Sequence, residues 1–156
     1  MYQNLSIMLS TEIDSLIKNA RREHNLDLLN ILQLIKTEFS NAIHSGKTLD
    51  EVTETKILLK MAEQRANDAK VYEDNGREDL ANKEKIELHY LYKYTPKQPT
   101  DEDIENETRK VITTYSASNG SISMKNMKDI LSLVKEKYPT ANGKIVSKVV
   151  KSFINK

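Results

Sequence analysis

The sequence contains no cysteine, which removes disulfides, thiolate metal sites and thiol nucleophiles together and suits a reducing compartment such as the cytoplasm. Only 4 glycines and 3 prolines occur in 156 residues, and no Gly-rich phosphate loop, nucleophile elbow or paired-acid motif is among them. No apolar run approaches the roughly 20 residues that span a bilayer, so no membrane partner is expected. Met1 to Ser10 lacks the basic segment and small-residue cleavage site of a secretory signal. A net charge of +1 makes the whole molecule neither a polycation nor an acidic tail. The length allows one medium domain or two small helical ones but is short for an enzyme with its own cofactor fold, and no cofactor is expected.

What remains abundant is Leu, Lys, Glu and Ala, straight-chain or small residues that lose little rotamer freedom in a helix. The fold class is therefore all-α. Leu5, Leu9, Ile13, Leu16, Ile17 and Ala20 recur at three and four residues and predict a first helix. A second is predicted from Leu26 to Ile43, with Leu28, Leu32, Ile35, Phe39 and Ala42 on one side and Leu29, Ile31, Leu34 and Ile43 widening the stripe, the pattern of a central helix. Thr48-Leu49-Asp50-Glu51 reads as a capping box that opens a long third helix with Val52, Leu59, Ala62, Ala66 and Ala69 inward. Asn75-Gly76 ends that helix. Glu78-Asp79 starts a fourth, with Leu80, Leu88 and Leu91 inward.

The third and fourth helices form a long hairpin with Arg77 at its tip. Pro96 and Pro99 break the helical pattern and divide the chain into an N-terminal helical domain, 1–96, and a C-terminal three-helix domain, 97–156. In the latter, Thr100 caps a helix containing Ile104, Val111, Ile112 and Tyr115, and Ser116 to Ser123 reads as a polar loop. Met124, Met127, Leu131, Val134 and Tyr138 mark a sixth helix that Pro139 ends. A seventh runs from Asn142 to Ile154.

Gln64-Arg65, Asn75-Gly76-Arg77-Glu78-Asp79-Leu80 and Tyr94-Thr95-Pro96-Lys97-Gln98, continued by Lys83-Glu84 and Glu87-Leu88, resemble the YqeY-like family. Ser123-Met124-Lys125-Asn126-Met127 and the run from Ala141 to Val150 are similar to its two closing helices. Lys128 stands where the family usually has Gly, and Pro139-Thr140 replaces a Gly and a basic residue, so this loop lacks that charge. The family's module also forms the helical tail of the B subunit of the glutamine-dependent, tRNA-dependent amidotransferase and is appended to some glutaminyl-tRNA synthetases. The resemblance therefore implies an N-terminal helical layer followed by a small bundle, tRNA as partner, and an aminoacyl-tRNA synthetase or amidotransferase subunit as a further partner. It is a resemblance to a tail that handles RNA and not to the subunits that carry ammonia chemistry.

Charge is segregated in a way that suits RNA. From Ala117 onward, 8 lysines face only Asp129 and Glu136, a local balance of +6, whereas the remainder holds 16 basic and 21 acidic residues, or −5. Lys125, Lys128 and Lys135 line one flank of the sixth helix, and Lys144, Lys148 and Lys151 line the polar face of the seventh. Such rows can follow phosphates as point charges with little base discrimination. A solvated amphipathic surface has the same pattern. Arg77 can reach a phosphate from the hairpin tip, or pair with Glu73 or Glu78.

Other candidates read as structural. Tyr90, Tyr92 and Tyr94 point to different sides of a helix and form no continuous stacking platform; they are expected to pack the hairpin against the second bundle. His24, His44 and His89 are scattered without metal-ligand spacing, and Asp101-Glu102-Asp103 coincides with a helix start that favours acids. The sequence thus points to a non-catalytic tRNA-binding accessory module, with an adaptor that docks on a synthetase or amidotransferase without touching RNA as the alternative.

Overall fold

A computed structural model describes residues 8–155. They form seven α-helices and one 3-10 turn, with no strand among the described residues, and the chain falls into two compact units, one ending at Pro96 and one starting at Lys97. No described helix is long and apolar enough to cross a membrane.

The first unit holds α1 (Leu9–Arg22), α2 (Leu26–His44), α3 (Glu51–Asp74) and α4 (Glu78–Tyr94). Leu5, expected on the first helix, lies outside the described residues. The α1 face of Ile13, Ile17 and Ala20 packs on Ile31, Leu32, Ile35 and Phe39 of α2. Because α2 contacts α1, α3 and α4, it is the central helix of the unit, and Ile31, Leu32 and Ile35 are completely buried. Its stripe is narrower than expected: Leu34 and Ile43 are 42% and 56% exposed. They lie outside the arc that the three neighbours cover.

Local chemistry sets the helix ends. Asn25 caps α2 by accepting the Leu28 N–H at 3.2 Å. The expected Thr48 capping box gives way to Asp50, whose carboxylate accepts the Thr53 N–H at 2.7 Å and begins α3 two residues later. A charged acceptor makes the stronger cap bond. That bond, donated first by the Thr53 backbone, holds Asp50 below its ordinary pKa. Gly76, at φ 72°, supplies the left-handed residue of the α3–α4 turn.

The inner face of α3 differs from the near-heptad reading. Leu58, Met61, Ala62 and Ala69 are buried, whereas Ala66 is exposed and Val52 and Leu59 are half-buried. α3 contacts α2 and α4 and is also bonded to α1 through Glu54, so its buried residues do not fall on a single line. Across the hairpin, Arg65 Nε is 3.3 Å from Glu87 Oε1, and Lys85 Nζ is 3.0 Å from Glu73 Oε2. Tyr90 and Tyr94 pack against the core of this first unit. Asn25 Nδ2 donates to the Tyr90 hydroxyl at 3.3 Å, while Tyr92 is exposed.

In the second unit, α5 (Asp101–Asn119) is followed by a 3-10 turn (Met124–Asn126), α6 (Met127–Lys137) and α7 (Gly143–Ile154). Thr100 and Asp103 form a reciprocal capping box, with the Asp103 N–H donating to Thr100 Oγ1 at 3.1 Å and the Thr100 N–H to Asp103 Oδ2 at 2.9 Å. Ser116 to Asn119, expected as loop, continue α5, and the helix stops at Gly120. Met124 belongs to the 3-10 turn and is exposed rather than part of the sixth helix core. Ser123 and Asn126 form a second reciprocal box that sets this turn. Ile104, Ile112, Ile130, Val134, Val146 and Val150 lead the core. Pro139 follows directly on Tyr138, the C-cap residue of α6.

Candidate nucleic-acid interface

The spacing that buries α7 also arranges its charges. Val146, Val149 and Val150 point into the core. Lys144, Lys148 and Lys151 differ by four and three residues, steps that keep side chains on one face, and all three are exposed. The helix has no acidic residue. Asn142 caps it by accepting the Lys144 backbone N–H at 2.9 Å. Lys144 therefore adds a cation in the first turn, where the helix dipole is already positive.

The two flanks of α6 are unlike. On one, Lys128, Leu131 and Lys135 follow at three and four residues, and a Cβ placed on Gly143 of α7 would stand 3.8 Å from Leu131 Cδ2. That flank therefore borders α7. On the other, Asp129 Oδ2 accepts the Tyr115 hydroxyl at 3.1 Å and Lys137 Nζ lies 3.4 Å from Glu107 Oε1. Glu136 lines a groove with α5. The acids of α6 thus turn towards α5, while Lys128 and Lys135 share the flank of Leu131, which lies beside the start of α7. Lys125 sits in the 3-10 turn, which contacts both α6 and α7.

All six lysines are exposed, and none forms an ion pair among the described residues. Lys137 differs: its hydrogen bond to Glu107, then the charge of that carboxylate, raises its pKa, and the pair neutralises it. Lys156, the eighth lysine of the basic segment, lies outside the described residues. Arg77 belongs to the first unit and meets neither expected acid. Its Nε and Nη2 each lie 3.2 Å from an oxygen of Asp79, a bond that raises the pKa of Arg77 and lowers that of Asp79. Glu73 is taken by Lys85. The fork geometry of guanidinium and carboxylate favours Asp79, two residues on, over its neighbour Glu78.

Sequence inspection missed the tie between Gln98 and Thr140. The Thr140 hydroxyl donates to Gln98 Oε1 at 2.5 Å, so the loop before α7 is held to the segment that precedes α5. The positions were visible as a motif residue and a departure from the motif; their 42-residue separation hid the contact. His24, His44 and His89 are exposed, and no group of three His, Cys, Asp or Glu side chains able to hold a metal is found among the described residues. Asp103 is committed to its cap, whose Thr100 N–H bond, the largest cause, lowers its pKa.

The family model described as Yqey-like protein matches residues 10–154. A curated relative from Vanderwaltozyma polyspora, called altered inheritance of mitochondria protein 41, mitochondrial, is 30% identical over 127 residues. The match covers 80% of this chain and 66% of that relative, just under two thirds of its length.

Proposed function

The chain belongs to the YqeY-like family, and we propose that within it this protein is a non-catalytic accessory module that binds tRNA through the phosphate backbone. The carrying observation is the α7 face of Lys144, Lys148 and Lys151, without acids on its helix and bordered by the Lys128–Lys135 flank of α6. Cations that have no carboxylate partner are available to displace counterions from a phosphate chain, and the release of those ions drives association. Lysine follows phosphates without the bidentate geometry that reads bases. Specificity for one tRNA then comes from shape or from a protein partner, a synthetase or an amidotransferase subunit. Lys125 extends the surface at the 3-10 turn. Arg77, held by Asp79, is the weakest of these candidate contacts. The absence of cysteine suits the reducing cytoplasm as the place of action.

Electrophoretic mobility measurements with tRNA test the proposal. The full chain shifts tRNA, and replacing Lys144, Lys148 and Lys151 together by Ala weakens binding on the order of tenfold or more. Binding insensitive to the triple substitution rules out this surface. The adaptor alternative makes the opposite prediction in a pulldown, because its protein partner is retained after ribonuclease treatment.

A further inference from the structure

The first unit carries a second concentration of positive charge, outside the motif residues and outside the lysine rows. A groove of ≈ 720 Å³ runs between α1 and α2. Its α1 wall presents Asp14, Lys18 and Arg21, at steps of four and three, and its α2 wall presents Gln33, Lys36 and Ser40. Lys36 Nζ bonds Asp14 Oδ1 at 2.6 Å, which spends the groove's one acid on one of its three cations. Lys18 and Arg21 have no carboxylate partner among the described residues. The side chains of Gln33 and Ser40 form no hydrogen bond there either.

The lining charge is therefore +2, and this contrasts with its surroundings. Residues up to Pro96 contain 13 basic and 16 acidic side chains, so the unit as a whole is negative. The groove between α5 and α6 holds Lys110 and Lys137 against Glu107 and Glu136 and is neutral. A concave, low-dielectric wall concentrates the field of the charges that line it. Unpaired donors beside unpaired cations suit an acceptor-rich anion better than an apolar segment.

We propose that the α1–α2 groove is a second phosphate-binding surface that takes the backbone of an RNA strand, with Lys18 and Arg21 as its charged contacts and Gln33 and Ser40 as hydrogen-bond donors. The proposal rests on the RNA-binding reading of the family member and extends it: each unit makes its own contact with the nucleic acid. Arg21 supplies a planar fork to phosphate oxygens and Lys18 a mobile point charge. Asp14 keeps Lys36 on the groove wall.

The test uses the full chain with tRNA in four forms: unsubstituted, Lys18→Ala with Arg21→Ala, the α7 triple Ala variant, and Lys18→Arg with Arg21→Lys. Both residues are exposed, and equal melting temperatures confirm that the fold is kept. The Lys18/Arg21 alanine variant is expected to lose affinity on the order of tenfold and to shallow the log–log salt slope by about 1.4 to 1.8, whereas the charge-conserving variant retains most of the slope. Affinity and slope unchanged in the alanine variant, while the α7 variant weakens, overturn the groove and leave the function standing. No tRNA binding by the unsubstituted chain removes both. Loss of an acidic protein partner that survives ribonuclease, with tRNA binding unaffected, also overturns the proposal and assigns the groove to protein.

Discussion

Glu54 on α3 accepts the Ser10 hydroxyl at 2.5 Å and the Ser10 backbone N–H at 3.2 Å, joining α1 to a helix 44 residues further on. The N-cap residue of α1 is Met8, which provides no side-chain cap. The carboxylate therefore satisfies one of the orphan donors of the first turn and places negative charge at the positive end of the dipole. Glu54 is only 4% exposed, so its desolvation is offset by these bonds.

Glu54→Ala should destabilise the protein by about 1.5–3 kcal/mol, the range for hydrogen bonds to a charged group, and Ser10→Ala by about 1 kcal/mol. Urea unfolding followed by circular dichroism checks both. Combined, the two substitutions should cost less than their sum, because each removes part of the same contact.

Acid lability is expected at the start of α5. Bonds from Thr100 hold the Asp103 carboxyl below its ordinary value of 3.8. A carboxyl depressed in the folded state contributes stability that is fully present above its unfolded pKa and is lost as pH falls through the folded value. Asp103→Asn should thus lower the melting temperature near pH 7, with the difference from the unsubstituted chain narrowing as pH drops below 3.8. Thr100→Ala, which removes the hydroxyl half of the box, should cost about 1 kcal/mol. Melting curves between neutral pH and pH 2.5 decide the matter.

Much of the architecture was legible because local rules acted alone. The helix read from Leu26 to Ile43, the Asn75-Gly76 turn and the Thr100 cap depend on neighbours within a few residues. Where two acceptors competed, as at Thr48 and Asp50, spacing did not choose between them and charge did. Where one helix served several partners, as α3 does, a single periodic stripe misjudged Ala66. Ser116 to Asn119 read as loop because Ser116, Ser118 and Asn119 suit turns, yet they form the last turn of α5, with Ala117, Ser118 and Asn119 exposed. Glu54 was illegible, since nothing near Ser10 announces a carboxylate arriving from another helix.

The candidate interface divided in the same way. That Lys144, Lys148 and Lys151 share one face followed from their spacing. Which side of α6 carries Lys128 and Lys135 needed the Leu131–Gly143 approach, and the fate of Arg77 needed the rotamer that reaches Asp79. The Lys18–Arg21 pair went unnoticed because its charges are diluted by the acids around it and only the groove separates them.

The central claim is that phosphate neutralisation by free lysines holds RNA, and the salt dependence of tRNA binding by the unsubstituted chain measures it most directly. With about four lysines of the second unit replacing counterions, the log–log slope should be on the order of −3 to −4, and steeper where the α1–α2 groove also engages. A slope near zero, or no binding at low salt, would contradict the account.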